Sequence, residues 1–346
     1  MEVDPVSLPL ASPLSTATGT IERREGFLVR LEDSPGIGEA MPLPGWTESL
    51  EDCRDALRRA TSVARERGVD AALDGLDPIE TPAARHGLDL AIADRHAREA
   101  GQPLAASLDP SSSQSVPVNA TVGDGSPEET AERASAAIDA GFETVKLKVG
   151  ARSIGEDVSR VRAVRDAIGP KPEVRVDANA AWTVADARRA IDGLAPLDVS
   201  YIEQPLAADD LDGHAALRDR GVEIALDESL RKRTLDEILA VEAADILVLK
   251  PMAVGGIRRT RSLAVEARQQ GIDPVFSTTI DGVFARTACV HLAASLGIEQ
   301  ACGLATADRL ADDFAPDPAP VLDGRMPVPD SPGIGFDLDR LQTPDE

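Results

Sequence analysis

Lysine is nearly missing from this chain. Of 346 residues only Lys146, Lys148, Lys171, Lys232 and Lys250 are lysine, and arginine supplies the other 31 basic residues. Sixty Asp and Glu leave a formal net charge of −24 and a pI near 4.5. An acid-rich, lysine-poor surface suits a protein kept soluble in concentrated salt, where repulsion is screened. The same acidity excludes nucleic acid and anionic membrane surfaces as partners. Cysteine is scarce too. Cys53, Cys289 and Cys302 are odd in number and without CxxC spacing, which fits small core thiols in a reduced cytosol. No apolar run approaches the ~20 residues of a membrane span. Met1-Glu2-Val3-Asp4-Pro5 has neither a basic nor an apolar signal-peptide region, so the expected location is cytoplasmic. Low-complexity segments and literal short repeats are also missing.

What is present is a change of pattern along the chain. Residues 1–112 read as one unit. It holds a strand-like Gly26–Leu31, then a Gly/Pro-rich structured loop over 35–46. Thr47 is placed to cap a helix running to about Arg67, and Thr81-Pro82 opens a second helix. The Ser- and Pro-rich stretch from Ala105 to Pro117 reads as a linker. Over residues 113–310 short apolar runs alternate with helical stretches. The expected strands are Val116–Val122, Thr144–Val149, Glu173–Val176, Val199–Ile202, Glu223–Leu226, Asp245–Leu249, Pro274–Phe276 and Cys302–Leu304. Eight strands separated by helices are the βα repeat of a parallel barrel. An open doubly wound sheet is disfavoured, since no G-x-G-x-x-G follows the first strand. Residues 311–346 form an Asp/Pro-rich tail expected to fold back on the N-terminal unit.

The ends of these strands carry the chemistry. Lys146 and Lys148 project from one face of strand two, because alternate residues of a strand share a face. Asp177, Glu203, Asp227 and Lys250 close the next four strands, at steps of 29, 26, 24 and 23 residues from Lys148. In a barrel such ends surround one mouth. Taken singly, each carboxylate is explained by a helix N-cap at a βα turn, and each lysine by a solvated strand edge. Five consecutive coincidences of that kind are hard to sustain. Three carboxylates at one mouth call for a cation, and oxygen donors with room for water suit Mg²⁺, with Mn²⁺ as the alternative. Zinc is disfavoured, as none of His86, His96, His214 and His291 stands at a strand end. A lysine close to a divalent cation and a second ammonium can act as a base near neutral pH. The reaction class is proton abstraction beside a carboxylate, through an enediolate.

The set Lys146-Leu147-Lys148, Asp177-Ala178-Asn179, Glu203-Gln204-Pro205, Asp227-Glu228-Ser229 and Leu249-Lys250-Pro251 resembles the muconate-lactonizing subgroup of the enolase superfamily. The resemblance covers nearly the whole chain. It implies an α/β fold: a (β/α)7β TIM-like barrel under an α+β capping domain built from the N-terminal segment and the tail. It also implies that Asp177, Glu203 and Asp227 hold the metal, that Lys148 is the base and that Lys250 faces it. Lys146 would tune Lys148, and Asn179 would stand behind the ligands.

Members of the subgroup share these residues, so substrate identity rests elsewhere. The segments 19–26 and 38–45, with Gly303–Thr306 and Asp308–Asp313, look most like o-succinylbenzoate synthases of menaquinone biosynthesis. Ser277, Thr278 and Thr306 are then candidates for binding a succinyl group. The expected activity is dehydration of a 2-succinyl-6-hydroxy-cyclohexadiene-1-carboxylate, a carbon–oxygen lyase reaction. N-acylamino acid racemase, dipeptide epimerase and muconate cycloisomerase are the alternatives. Against them, Asp308 lacks a paired Asp, and Asp281 stands where the cycloisomerases carry a Glu. Rivals of other kinds are a catalytically silent barrel that only binds and a metal-dependent aldolase, which leaves lysines on both sides of the metal unexplained. The expected partner is a small carboxylate substrate, and a homo-oligomer is compatible with the sequence.

Overall fold

The structure is a computed structural model that describes residues 1–16, 19–31 and 35–338. It begins with an antiparallel sheet of β1 (Glu2–Thr16), β2 (Gly19–Leu31) and β3 (Gly36–Ala40), in that order. The long β1 was not legible in the sequence, because Pro5, Pro9 and Pro13 interrupt any strand pattern. It is an edge strand, where a residue without an N–H is tolerated, and Pro5 and Pro9 pair with Phe27 and Arg23. The loop expected over 35–46 is corrected in part, since its first half is β3. Gly36 and Gly38 serve close packing: a methyl group on Gly38 would overlap the carbonyl oxygen of Gly87.

That neighbour belongs to α3 (Pro82–Glu99), which follows α1 (Leu50–Arg67) and α2 (Val69–Asp74). Thr47 does not cap α1. Ser49 does, accepting from the Asp52 N–H, while the Thr47 hydroxyl accepts from the Leu43 N–H at 2.9 Å. The expected linker contains α4 (Leu104–Leu108) and β4 (Ser115–Pro117).

Seven parallel strands follow, neighbours in space as in sequence. They are β5 (Ala120–Val122), β6 (Thr144–Lys148), β7 (Glu173–Asp177), β8 (Val199–Glu203), β9 (Glu223–Leu226), β10 (Ile246–Leu249) and β11 (Asp273–Phe276). Helices between and after them are α5 (Pro127–Asp139), α6 (Ile154–Ile168), α7 (Val184–Leu194), α8 (Leu211–Ala215), α9 (Leu235–Ala240), α10 (Pro251–Val254), α11 (Ile257–Gln269) and α12 (Val283–Ser295). Reciprocal capping boxes, Ser126 with Glu129, Ser153 with Glu156 and Thr234 with Glu237, start α5, α6 and α9. The helix after β8 is only the short α8; the chain leaves it for a turn in which Asp219 takes φ +60°.

Two further expectations change. The single strand over 116–122 divides: β4 pairs antiparallel with β12 (Arg325–Pro327), and only β5 joins the parallel sheet. Cys302–Leu304 is not a regular strand. It makes one parallel bridge to each side, Cys302 to Val118 and Gly303 to Ser277. Thr306 N–H then turns back to the Leu304 carbonyl, which ends any ladder.

The larger apolar cluster packs the parallel sheet against its helices, and a second one packs β1–β3 against α1–α3. Met252, Ala285 and Leu310 join the second cluster, so α10, α12 and the residue just before the tail pack with the N-terminal unit. The tail also gives its Ile334 N–H to Asp94 of α3 at 2.8 Å. All three cysteines are free and buried. Among the described residues no helix is long and apolar enough to cross a membrane.

Candidate active site

Strand register places the first acids and lysines in one row. Lys148 of β6 is level with Asp177 of β7, which is level with Glu203 of β8. One layer below, Lys146 is level with Arg175. The alternation Glu173-Val174-Arg175-Val176-Asp177 puts Arg175 on the same face as Asp177. Arg175 is fully buried, donates to Glu173 and to the Ala301 carbonyl, and lies against the Tyr201 ring. This floor beneath the row was missed, although the strand's period of two carries it. The Tyr201 ring also belongs to a small apolar cluster with Ala225, Ile246, Val248 and Val275.

The lysines and carboxylates fall into two hydrogen-bonded groups, Lys146 and Lys148 with Asp177 and Glu203, and Lys250 with Asp227. Lys146 Nζ lies 3.1 and 2.9 Å from the two Glu203 oxygens and 3.2 Å from Asp177 Oδ2. Lys148 Nζ donates to Asp177 Oδ2 at 2.6 Å and to Asn179 Oδ1 at 2.8 Å. Lys250 Nζ donates to Asp227 Oδ2 at 2.5 Å. Lys146 and Lys250 are largely buried, whereas the Lys148 side chain is 40% exposed. It is the most accessible of the three.

The electrostatics follow from burial and from these neighbours. Burial disfavours the Lys146 ammonium, but Glu203 and Asp177 outweigh it and hold its pKa well above the ordinary value. Burial works to raise Asp177, yet Lys146 and Lys148 outweigh it and keep that carboxyl well below the usual range. Glu203 is pushed up to about 7, by burial first and then by Asp177. Asp227 rises to about 6 through burial, with Lys250 opposing. Burial also raises Glu228.

Backbone geometry secures the row. Asn179 and Gln204, just past β7 and β8, take the left-handed region at φ +44° and +41°. Such φ values in non-glycine residues persist where the surroundings hold them. The Asn179 N–H bonds to Asp177 Oδ1, and its side-chain amide reaches both Lys148 and Glu228. The Gln204 amide oxygen accepts from the N–H groups of Asp227 and Ser229, tying the ends of β8 and β9 together.

Trp46, on the loop before α1, is the last residue of the Gly/Pro-rich segment over 35–46, to which the sequence reading gives no part in the site. Its ring centroid is 3.5 Å from Lys250 Nζ. Being one of only two tryptophans was the available signal. The three hydroxyl candidates stand together at the β11 end. Thr278 and Thr306 bond each other at 3.1 Å, and Ser277 donates to the Gly303 carbonyl. Among the described residues none of the three bonds to the lysines or acids of the row. Asp281 turns away to accept from Thr279 and lies near the buried Arg24 and Glu39. The four histidines all sit on helices, away from the strand ends, and His86, His214 and His291 are buried there.

Among the described residues no three His, Cys, Asp or Glu side chains cluster as ready metal ligands. The acids turn instead to the lysines. The donor set nonetheless fits a divalent cation. Four carboxylates, of Asp177, Glu203, Asp227 and Glu228, face three ammonium groups, and Asp227 Oδ1 and Glu228 Oε2 are buried without a hydrogen-bond partner. Oxygen-only donors short of positive charge suit Mg²⁺ or Mn²⁺.

Known proteins bear on this geometry. The chain is 42% identical over 220 residues to the o-succinylbenzoate synthase of Thermobifida fusca, which covers 62% of the chain and 66% of that protein. It is 29% identical over 303 residues to the N-succinyl-L-Arg/Lys racemase of Bacillus cereus, covering 84% of the chain and 82% of the racemase. The crystal structure of that racemase superposes with a TM-score of 0.86 at 27% identity, covering 99% of this chain and 97% of that one. The hydrophobic dipeptide epimerase of Enterococcus faecalis is 30% identical over 306 residues, with 83% and 84% coverage. Its structure complexed with Mg and the dipeptide L-Leu-L-Tyr superposes with a TM-score of 0.84 at 26% identity, covering 96% and 98%. These relatives are enzymes of different reaction types. The sequence model of the enolase C-terminal domain-like family matches residues 129–342, and the chain belongs to the enolase superfamily.

Proposed function

We propose that the protein is an o-succinylbenzoate synthase, a lyase that dehydrates 2-succinyl-6-hydroxy-cyclohexadiene-1-carboxylate on the route to menaquinone. The observation that carries this reading is the 42% identity to the T. fusca synthase, against 29% and 30% for the racemase and the epimerase. We read the parallel sheet as a closed (β/α)7β barrel, supported by the bridges of Cys302 and Gly303 to its two edges. Residues 1–112 with the tail 311–346 would be its cap, over a barrel of 113–310.

Asp177, Glu203 and Asp227 would hold the Mg²⁺. When bound, the cation neutralises charge that develops on the substrate carboxylate as the α-proton leaves. Lys148, exposed at the row and held by Asn179, takes that proton from carbon and returns it to the departing hydroxyl, so that water leaves. The C–H electron pair becomes the new ring double bond as the C–O bond breaks. Lys250, fixed between Asp227 and the Trp46 ring, faces the substrate from the other side and steadies its developing charge. Lys146 holds Asp177 and Glu203 in place and favours their ionised forms against burial. Thr278, Thr306 and Ser277 would bind the succinyl group. The acid-rich composition supports high salt as the working condition, and the three free cysteines support a reducing cytoplasm.

N-succinylamino acid racemisation is the second reading. The match to the B. cereus racemase spans more of the chain, 84% against 62%, and lysines on two sides serve proton exchange equally well. Purified protein with MgCl₂ in concentrated salt is assayed with the dehydration substrate, N-succinylamino acids and dipeptides. Rapid dehydration with slow or no racemisation is expected. Racemisation or epimerisation with the dehydration substrate untouched would reject the synthase.

A further inference from the structure

The two most basic stretches of this acidic chain meet at one cavity outside the lysine–carboxylate row. Arg231-Lys232-Arg233 is the only run of three basic residues in the sequence, and Arg258-Arg259-Thr260-Arg261 is the next densest. Arg231, Lys232, Arg233 and Arg259 line a cavity of about 350 Å³. Its size is at the small end of the ~300–1,000 Å³ usual for small-molecule sites.

Two features suit it to an anion. Lys232 and Arg259 are exposed and form no ion pair among the described residues. Of the acids in the wall, Glu48 is already engaged, accepting the Ala83 and Ala84 N–H groups at 2.9 and 2.8 Å. A cationic concavity on a molecule of net charge −24 concentrates anions locally. Glu80, Thr47 and Thr234 also line it, so the four basic residues outnumber the two acids, and one side of the wall is apolar, with Pro78, Ile79, Leu230 and Leu263. Ile79 is 73% exposed, one of two exposed large apolar side chains among the described residues. Cations beside an apolar wall match an organic carboxylate better than a bare inorganic anion.

The cavity also reaches the row. Arg231 Nε donates to the Trp46 carbonyl at 3.2 Å, and its guanidinium stands 5.6 Å from the Trp46 ring. That ring is the one in contact with Lys250. An occupant that draws on Arg231 therefore acts one side chain away from Lys250.

We propose that this cavity is a second binding site, for a small organic carboxylate with an apolar body, and that its occupancy is felt at Lys250 through Arg231 and Trp46. Binding here does not depend on which carboxylate the lysines transform. The test uses the full chain carrying Trp182→Phe, which leaves Trp46 the only indole. Phthalate, inorganic phosphate and neutral benzamide are titrated at constant ionic strength while Trp46 fluorescence is read. Saturable quenching by phthalate is expected, at least tenfold weaker in Lys232→Ala/Arg259→Ala and unchanged in Lys148→Ala. Both side chains of the double variant are exposed, and circular dichroism checks that its fold is kept. An unchanged isotherm in the double variant overturns the proposal. So does equal binding of benzamide, which removes the role of charge, or of phosphate, which removes the apolar wall. Loss of quenching in Lys148→Ala would move the binding to the row and overturn it as well.

Discussion

Replacing Lys146 by methionine tests the electrostatics of the row directly. Methionine keeps the unbranched stem and removes the charge. In the native chain the ammonium lies 2.9 and 3.1 Å from Glu203 and 3.2 Å from Asp177. At an effective dielectric of 20, one unit-charge pair at that separation is worth roughly 5 kcal/mol before desolvation. Burying the ammonium offsets much of this, and breaking such a buried pair by deleting one partner costs about 3–5 kcal/mol. Asp177 would keep Lys148, but Glu203 would lose the ammonium bonded to it. Urea unfolding in concentrated KCl with EDTA measures the loss. With a urea slope of about 3 kcal/mol per molar, the midpoint should fall by roughly 1–1.7 M. Most of the usual range of native stability, about 5–15 kcal/mol, exceeds that loss and leaves the variant folded. Adding Mg²⁺ in place of EDTA should raise the midpoint more in the variant than in the native protein, since its acids are less compensated. A loss below about 1 kcal/mol, or equal Mg²⁺ shifts in both proteins, would refute this account of the row.

Lys148→Ala should lower turnover by about 10²–10⁴-fold while isothermal calorimetry still detects Mg²⁺ binding; near-normal dehydration would remove Lys148 from proton transfer. The Arg24 guanidinium donates to three carbonyls, of Met41, Pro42 and Ile280, the last in a β-branched residue at φ +61°. Arg24→Met should therefore destabilise by about 3–5 kcal/mol in urea unfolding, and Arg24→Lys should recover little, because one ammonium cannot serve three divergent acceptors. Glu39 is raised from 4.5 to about 8 by burial first and by nearby Asp281. The folded chain thus keeps a proton that the unfolded chain releases above 4.5, and this contribution is lost as pH rises toward 8. In thermal unfolding across that window, Glu39→Gln should flatten the decline of stability with pH; an identical slope would count against a protonated Glu39.

Much of the row was legible because strands impose a period of two and βα units impose a spacing. Lys146, Lys148, Asp177, Glu203, Asp227 and Lys250 each close or line a predicted strand, and the structure joins them by hydrogen bonds. Arg175 obeyed the same period and went unread, since a fully buried arginine is not what a strand pattern leads one to expect. Gln204 and Glu228 were quoted inside motifs, but their roles depend on which strand end lies opposite.

The sequence by itself determined the alternation of strands and helices, the polar face of each strand and the acidic surface, because these are local or compositional properties. Tertiary structure alone decided four things. It made β1 a strand despite its prolines, because an edge position leaves the missing N–H unneeded. It made β3 a strand of closely packed glycines rather than a loop, because α3 lies against it. It set Trp46 on Lys250, two residues some 200 positions apart. And it divided the carboxylates among the lysines, since which ammonium neutralises which acid depends on register between strands, and no single strand contains that information.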